Sequence, residues 1–233
     1  MSKRTTAKDR SLSLYQVFVR NYAPSGTFRE VEKDLDRIAA MGFDYLYLLP
    51  IHPIGVQQRK GDLGSPYAIS DYWAINPEYG TLEEFKQLIQ ATHDHHMKIM
   101  IDIVINHTAY DHPFTQTHPE YYYHKPDGNF GNRVGDWTDI LDLNYSCEAL
   151  REEMINMLCY WAKLGVDGYR CDVASLVPVS FWQQAAEAVA KINPDHFWLA
   201  ESVEPEFIRA LRAEGFEVAT DSELYTAFDC LYD

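Results

Sequence analysis

From residue 14 the chain alternates between two hydrophobic periods. "LYQVFVR" (14–20) is rich in β-branched and aromatic residues and predicts a strand. "TFREVEKDLDRIAAMG" (27–42) carries helical spacing, with Thr27 and Glu30 placed as a capping box and Gly42 as a stop. "FDYLYLLPI" (43–51) predicts a second strand. "TLEEFKQLIQATHDHH" (81–96) predicts a second helix, again with a box, Thr81 and Glu84. "MKIMIDIVI" (97–105) is a continuous apolar run, as expected of a parallel strand covered on both faces.

The rhythm then breaks. Residues 106–146 are rich in Tyr, His, Asp, Gly and Pro, and are too many for a plain loop in a compact domain, so they predict a small irregular subdomain. Afterwards the alternation resumes: a helix at 147–164, a strand at 166–171, a helix at 179–191, a strand at 196–200, a helix at 204–214 and a short strand at 216–220. Strand–helix alternation at about thirty residues per unit predicts a parallel α/β sheet, open or closed into a barrel. No G-x-G-x-x-G or P-loop supports a nucleotide-binding form. Polar residues gather just after the strands: His52, Asp102 to His107, Arg170 to Asp172, and Glu201. A (β/α)8 barrel keeps its chemistry at that end. The expected architecture is therefore of (β/α)8 TIM-barrel type with about six of eight β/α units. Residues 1–105 hold strands one to three, 106–146 the insertion, and 147–233 strands four to six.

Composition narrows the partners. The 233 residues include 46% hydrophobic and 14% aromatic positions, and the net charge is −15. So acidic a chain is a poor ligand for phosphate backbones or anionic membranes, and suits a neutral substrate or a bound cation. The stretch "MSKRTTAKDR" has no apolar core of signal-peptide type, and no run is long enough to span a bilayer, so a cytoplasmic location is expected. Cys147, Cys159, Cys171 and Cys230 show no C-x-x-C spacing and read as reduced, buried small residues.

In "GVDGYRCDVAS" (165–175), Arg170 and Asp172 are two apart on a strand, so they project to one face and Cys171 to the other. A charged pair at the mouth of an apolar strand is costly unless something is bound or catalysed there. Glu201 closes the next strand, in "WLAES". Neighbouring strands lie about 4.8 Å apart, close enough for the two carboxyls to reach the roughly 5–5.5 Å separation of retaining glycoside hydrolysis. In that chemistry Asp172 would be held ionised by Arg170, and Glu201, in its apolar setting, would keep a proton. "HDHH" (93–96) lies at a helix C-terminus, where histidines favour the dipole, and "YYYH" (121–124) is either a sugar-stacking patch or the small core of the insertion. Trp161 and Trp182 read as barrel-to-helix packing.

These residues resemble the α-amylase superfamily of retaining glycoside hydrolases and transglycosylases. "DIVINH" (102–107) is similar to its D-x-x-x-N-H signature, "GYRCDVA" to G-x-R-x-D, "AES" to the signature bearing the acid/base Glu, and "DILDLN" (139–144) to the motif closing domain B. The four occur in the family's order. The resemblance implies that Asp172 is the nucleophile, Glu201 the general acid and then base, and Arg170 the residue that positions Asp172. It implies that His107 hydrogen-bonds the sugar, that Tyr67 stacks on it, and that Asp102 holds Arg170 and Tyr67 in place. In calcium-binding members Asn106 and Asp142 would be metal ligands, and oxygen donors suit Ca2+. The implied activity is retaining cleavage of α-glucans or maltooligosaccharides, of α-amylase or neopullulanase type. The alternatives are a transglycosylase or α-glucosidase of the same superfamily, or a catalytically inactive, saccharide-binding fragment. Three departures stand out. The family's fourth signature and strands seven and eight are not found before the sequence stops. Ser175 and Leu176 stand where many members have Lys-His, and Val173-Ala174 looks more like the neopullulanase-type relatives. The insertion is also short.

Overall fold

The computed structural model describes residues 5–232; residues 1–4 of the charged N-terminal stretch, and residue 233, lie outside the described residues. Six parallel strands form one curled sheet, a partial (β/α) barrel: β1 (Leu14–Val17), β2 (Tyr45–Leu48), β3 (Lys98–Ile103), β6 (Gly168–Cys171), β7 (Phe197–Glu201) and β8 (Cys230–Tyr232), in that spatial order. Two short strands between β3 and β6, β4 (His107–Ala109) and β5 (Ile140–Asp142), pair antiparallel and leave the main sheet.

Helices return the chain between strands. A short α1 (Ala7–Arg10) precedes β1, and α2 (Val19–Tyr22), α3 (Phe28–Lys33) and α4 (Leu35–Ala40) follow it. The long α5 (Leu82–Asp94) precedes β3, and α6 (Phe114–Thr117) lies between β4 and β5. The helices α7 (Glu148–Lys163) and α8 (Val179–Ala190) flank β6. After β7 come α9 (Pro205–Ala213) and α10 (Asp221–Leu224).

The period-two pattern of each strand sorts the sheet into two faces. Leu46, Leu48, Ile99, Ile101, Tyr169, Cys171, Trp198 and Ala200 face outward into the main core, where Trp161 and Trp182 are fully buried. Tyr45, Tyr47, Met100, Phe197 and Leu199 form a second cluster on the inner face. Gly168 sits on that face because a Cβ there would stand 3.0 Å from the Phe197 carbonyl oxygen and 3.2 Å from Met100.

Three sequence expectations change. The helix expected over 27–42 is broken in two at Asp34 (φ −102°, ψ 3°), whose carboxylate takes the Arg37 guanidinium (Nε at 2.9 Å) and the Tyr22 hydroxyl. Those bonds hold the Asp34 carboxyl down at about 2. The Thr27 box does not form: Glu30 pairs with Lys33 at 2.7 Å, and the Tyr79 carbonyl already accepts from the Phe28 N–H. The Thr81–Glu84 box does form, a cap worth about 1 kcal/mol. Finally, residues 216–220 are not a strand. Val218 packs with Leu176, Ile208 and Leu211 beneath α9, Ala219 donates to the Ser175 carbonyl, and the sixth sheet strand is β8 instead.

The remaining singled-out stretches are structural in their contacts. His93 bonds Asp167 (2.7 Å) and His95 bonds Asp36 and the Ala91 carbonyl. Tyr121 and Tyr122 are buried in the segment between β3 and α7, Tyr121 stacked on His118, so the first two residues of "YYYH" supply that segment's core, while Tyr123 is half-buried against Phe216 and His124 is exposed. All four cysteines are free. Among the described residues no helix is long and apolar enough to cross a membrane.

Candidate active site

The parallel register carries the expected residues to one end of the sheet. Asp102 on β3 lies directly opposite Arg170 on β6, and Cys171 lies opposite Ala200 on β7. One step further along, Asp172 and Glu201 leave the strand ends side by side. The Asp172 N–H still donates to the Ile103 carbonyl, so its backbone is fixed by the ladder.

Arg170 is the hub. Its Nη1 bonds Asp102 (2.9 and 3.2 Å) and Asp172 Oδ1 (2.8 Å), its Nη2 pairs with Glu201 Oε1 (2.6 Å), and its Nε donates to the Tyr232 hydroxyl (2.6 Å). Asp102 is fully buried and also accepts from Tyr47 (2.6 Å) and Tyr67 (3.2 Å). One guanidinium therefore serves three carboxyls, and a bidentate, forked donor suits that task where lysine would not.

The charge balance corrects one expectation. Arg170 does draw the Asp172 carboxyl down, but burial, followed by the charges of Asp102 and Glu201, outweighs it and pushes the group well up. The Arg-Asp spacing shows the cation; burial and the other two carboxylates come from the fold. Burial likewise raises Asp102, against Arg170, Tyr47 and Tyr67.

Glu201 is steadied from its other side. The Val173 N–H donates to Oε2 at 2.9 Å. Val173 itself has a left-handed backbone (φ 37°, ψ 47°), an outlier for a β-branched residue and the kind of strain that clusters at functional sites.

Arg170, Asp172, Val173 and Glu201 line a cleft of about 360 Å³. Tyr67 and His107 form part of its wall. His107 is buried and packs edge-on to Trp137, and burial lowers its ring so that it is neutral at pH 7. Trp137, Lys60 and Asp139 also line the cleft, the last two joined at 3.1 Å. His52, by contrast, is buried under Trp161, bonded to the Ala74 carbonyl and lowered to about 4 by burial. Tyr72 is buried too, donating to the His107 carbonyl, and Asp71 caps its own turn at Trp73.

Asn106 and Asp142 come together, but around Arg133. Asp142 Oδ2 accepts from the Arg133 Nε and backbone N–H, each at 2.7 Å, and Asn106 Oδ1 accepts from Arg133 Nη2 at 2.6 Å. Calcium takes six to eight oxygens, and here a guanidinium already occupies those of the pair. Among the described residues no group of three or more His, Cys, Asp or Glu is arranged to hold a metal. The residues present do not fit the ion.

Sequence reading missed Tyr47, Arg133, Trp137, Val173 and Tyr232. Only Tyr47 carried a signal, its inward parity on β2; the others depend on loop geometry or on a strand too short to notice.

A family model described as the α-amylase catalytic domain matches residues 5–140 and 135–226. The chain belongs to the α-amylase family. An α-amylase from Lactobacillus plantarum superposes with a TM-score of 0.93 at 52% identity, covering 96% of this chain and 53% of that one. A maltogenic α-amylase from Thermotoga neapolitana gives 0.82 at 39% identity, covering 95% and 49%. An α-1,4-glucan:maltose-1-phosphate maltosyltransferase from Picrophilus torridus is 34% identical over 210 residues, 82% of this chain and 33% of that protein. The chain thus spans about a third of the curated relatives it matches and about half of these solved α-amylase family structures.

Proposed function

We propose that this α-amylase family chain carries the catalytic pair of an enzyme that cleaves α-glucosidic bonds with retention, through a covalent glycosyl–enzyme. The observation that carries the reading is the shared guanidinium: Arg170 holds Asp172 at 2.8 Å and Glu201 at 2.6 Å on adjacent strand ends, facing one cleft.

The ionised form of Asp172, which Arg170 favours against burial, is the reactive one: in the first step its carboxylate oxygen attacks the anomeric carbon. The bond to the leaving oxygen breaks, and that oxygen takes the proton of Glu201. The product is a β-glycosyl ester on Asp172. In the second step Glu201 takes a proton from water or from a sugar hydroxyl, whose oxygen displaces Asp172 and restores the α-anomer. Arg170 keeps the two carboxyls in register throughout. The neutral cleft wall of Tyr67, His107 and Trp137 offers ring faces and a donor to an uncharged sugar.

The relatives bear on the acceptor. Two are named as amylases and one as a maltosyltransferase, so the resolving hydroxyl belongs either to water or to a glucan. Proton NMR of early products from a maltooligosaccharide is expected to show the α-anomer first. A β-anomer would reject the double displacement. Adding glucan acceptor in excess divides the outcomes: longer products mean transfer, and unchanged glucose and maltose yields mean hydrolysis.

A further inference from the structure

We infer that Arg133 is the built-in cation of the junction between the inserted segment and the barrel, that it takes the place of a divalent metal, and that it sets the proton position on His107. Three stretches of chain meet on its guanidinium. Nε bonds Asp142 on β5, Nη2 bonds Asn106 just after β3, and Nη1 donates to the Leu176 carbonyl (3.2 Å), four residues beyond Asp172. The Arg133 and Asp142 side chains are 8% and 0% exposed, and Asn106 is also buried. A fully desolvated carboxylate needs a charged partner, and this one has it from within the chain.

The same bond orients an amide. Arginine can only donate, so the atom of Asn106 facing Nη2 is the oxygen. The amide nitrogen then points the other way, 3.1 Å from His107 Nδ1 and 3.4 Å from Asp142 Oδ1. It donates to Nδ1, so the His107 proton sits on Nε2. A guanidinium that touches nothing in the cleft thus acts, together with the backbone acceptor at Tyr67, on which ring nitrogen of a cleft residue is the donor. Arg133 is a positioning residue, and its effect does not depend on whether the cleft hydrolyses or transfers.

The test uses the unmodified protein first. Its thermal midpoint is expected to be the same in excess EDTA and in millimolar CaCl2, and 15N spectra of histidine-labelled protein are expected to show His107 protonated at Nε2 alone. Arg133→Ala leaves Asp142 buried without a cation and is expected to lower the midpoint by roughly 10 °C. Calcium or guanidinium ion should recover part of that loss, and the two His107 tautomers should mix. Arg133→Lys, which keeps the charge and loses the fork, should fall between and serves if the alanine variant does not fold. Calcium stabilisation of the unmodified protein, loss of stability in EDTA, or a His107 proton on Nδ1 would each overturn the proposal.

Discussion

Replacing Asp172 with Asn is expected to cut turnover by about 10⁴-fold or more, because under the proposed function Asp172 is the nucleophile, and removing one costs at least that in comparable covalent mechanisms. The same change is expected to make the protein more stable at pH 7. The folded-state pKa of Asp172 is raised by burial and by its carboxylate neighbours. Between the ordinary carboxyl value of about 4 and that raised value, the folded state binds the extra proton, so stability falls as pH rises. An amide removes that penalty, while Arg170 keeps Asp102 and Glu201 as partners. The gain should be present at pH 7 and shrink towards pH 4. Urea denaturation at the two values reads it, and a variant less stable at pH 7 than the parent would contradict the charge balance described above.

The opposite substitution should do the opposite. Arg170→Met keeps the stem and removes the guanidinium shared by Asp102, Asp172 and Glu201. Breaking a buried ion pair from one side typically costs about 3–5 kcal/mol, and here two of the orphaned carboxyls are 0% and 8% exposed. Without the cation their folded pKa values rise further. The loss is therefore largest at high pH and diminishes as pH falls through the raised folded-state values, below which the groups hold protons in parent and variant alike. A loss below about 1 kcal/mol, or one equal at pH 4 and pH 7, would mean that Arg170 is not what holds the cluster.

Most of the fold could be read from hydrophobic period, because the long elements bury one consistent face. The expected helix 81–96 is α5 with its box intact, and the apolar run 97–105 contains β3. Short elements were less legible. Val218 and Ala219 are buried, as a strand would bury them, yet Val218 packs under α9 and Ala219 joins the main core, while the three-residue β8 has only half-buried or exposed side chains and gives no alternation to detect. The kink at Asp34 depends on partners at Tyr22 and Arg37 that only the folded chain assembles.

The candidate site shows the same division. Strand-end position and i, i+2 parity place Asp102, Arg170, Asp172 and Glu201 together, and the register brings them there. The sequence does not show that three carboxyls share one arginine, and the upward direction of the Asp172 shift follows from burial and from that sharing. It also could not show Arg133. That residue lies in an irregular stretch, 27 positions from Asn106, where no period links it to its partners. The metal reading arose because Asn106 and Asp142 carry the right oxygens; the cation they meet belongs to the chain.

Under the proposed function Asp172 forms the bond to sugar. The most direct measurement incubates the protein with a 2-deoxy-2-fluoro or 5-fluoro α-glucosyl fluoride, or its maltosyl homologue, which slows breakdown of the ester. The protein is then digested and the labelled peptide sequenced by mass spectrometry. One glycosyl group is expected, on Asp172, and none in Asp172→Asn. A label on Glu201 or elsewhere, or turnover of the unfluorinated sugar with no label ever trapped, would contradict it.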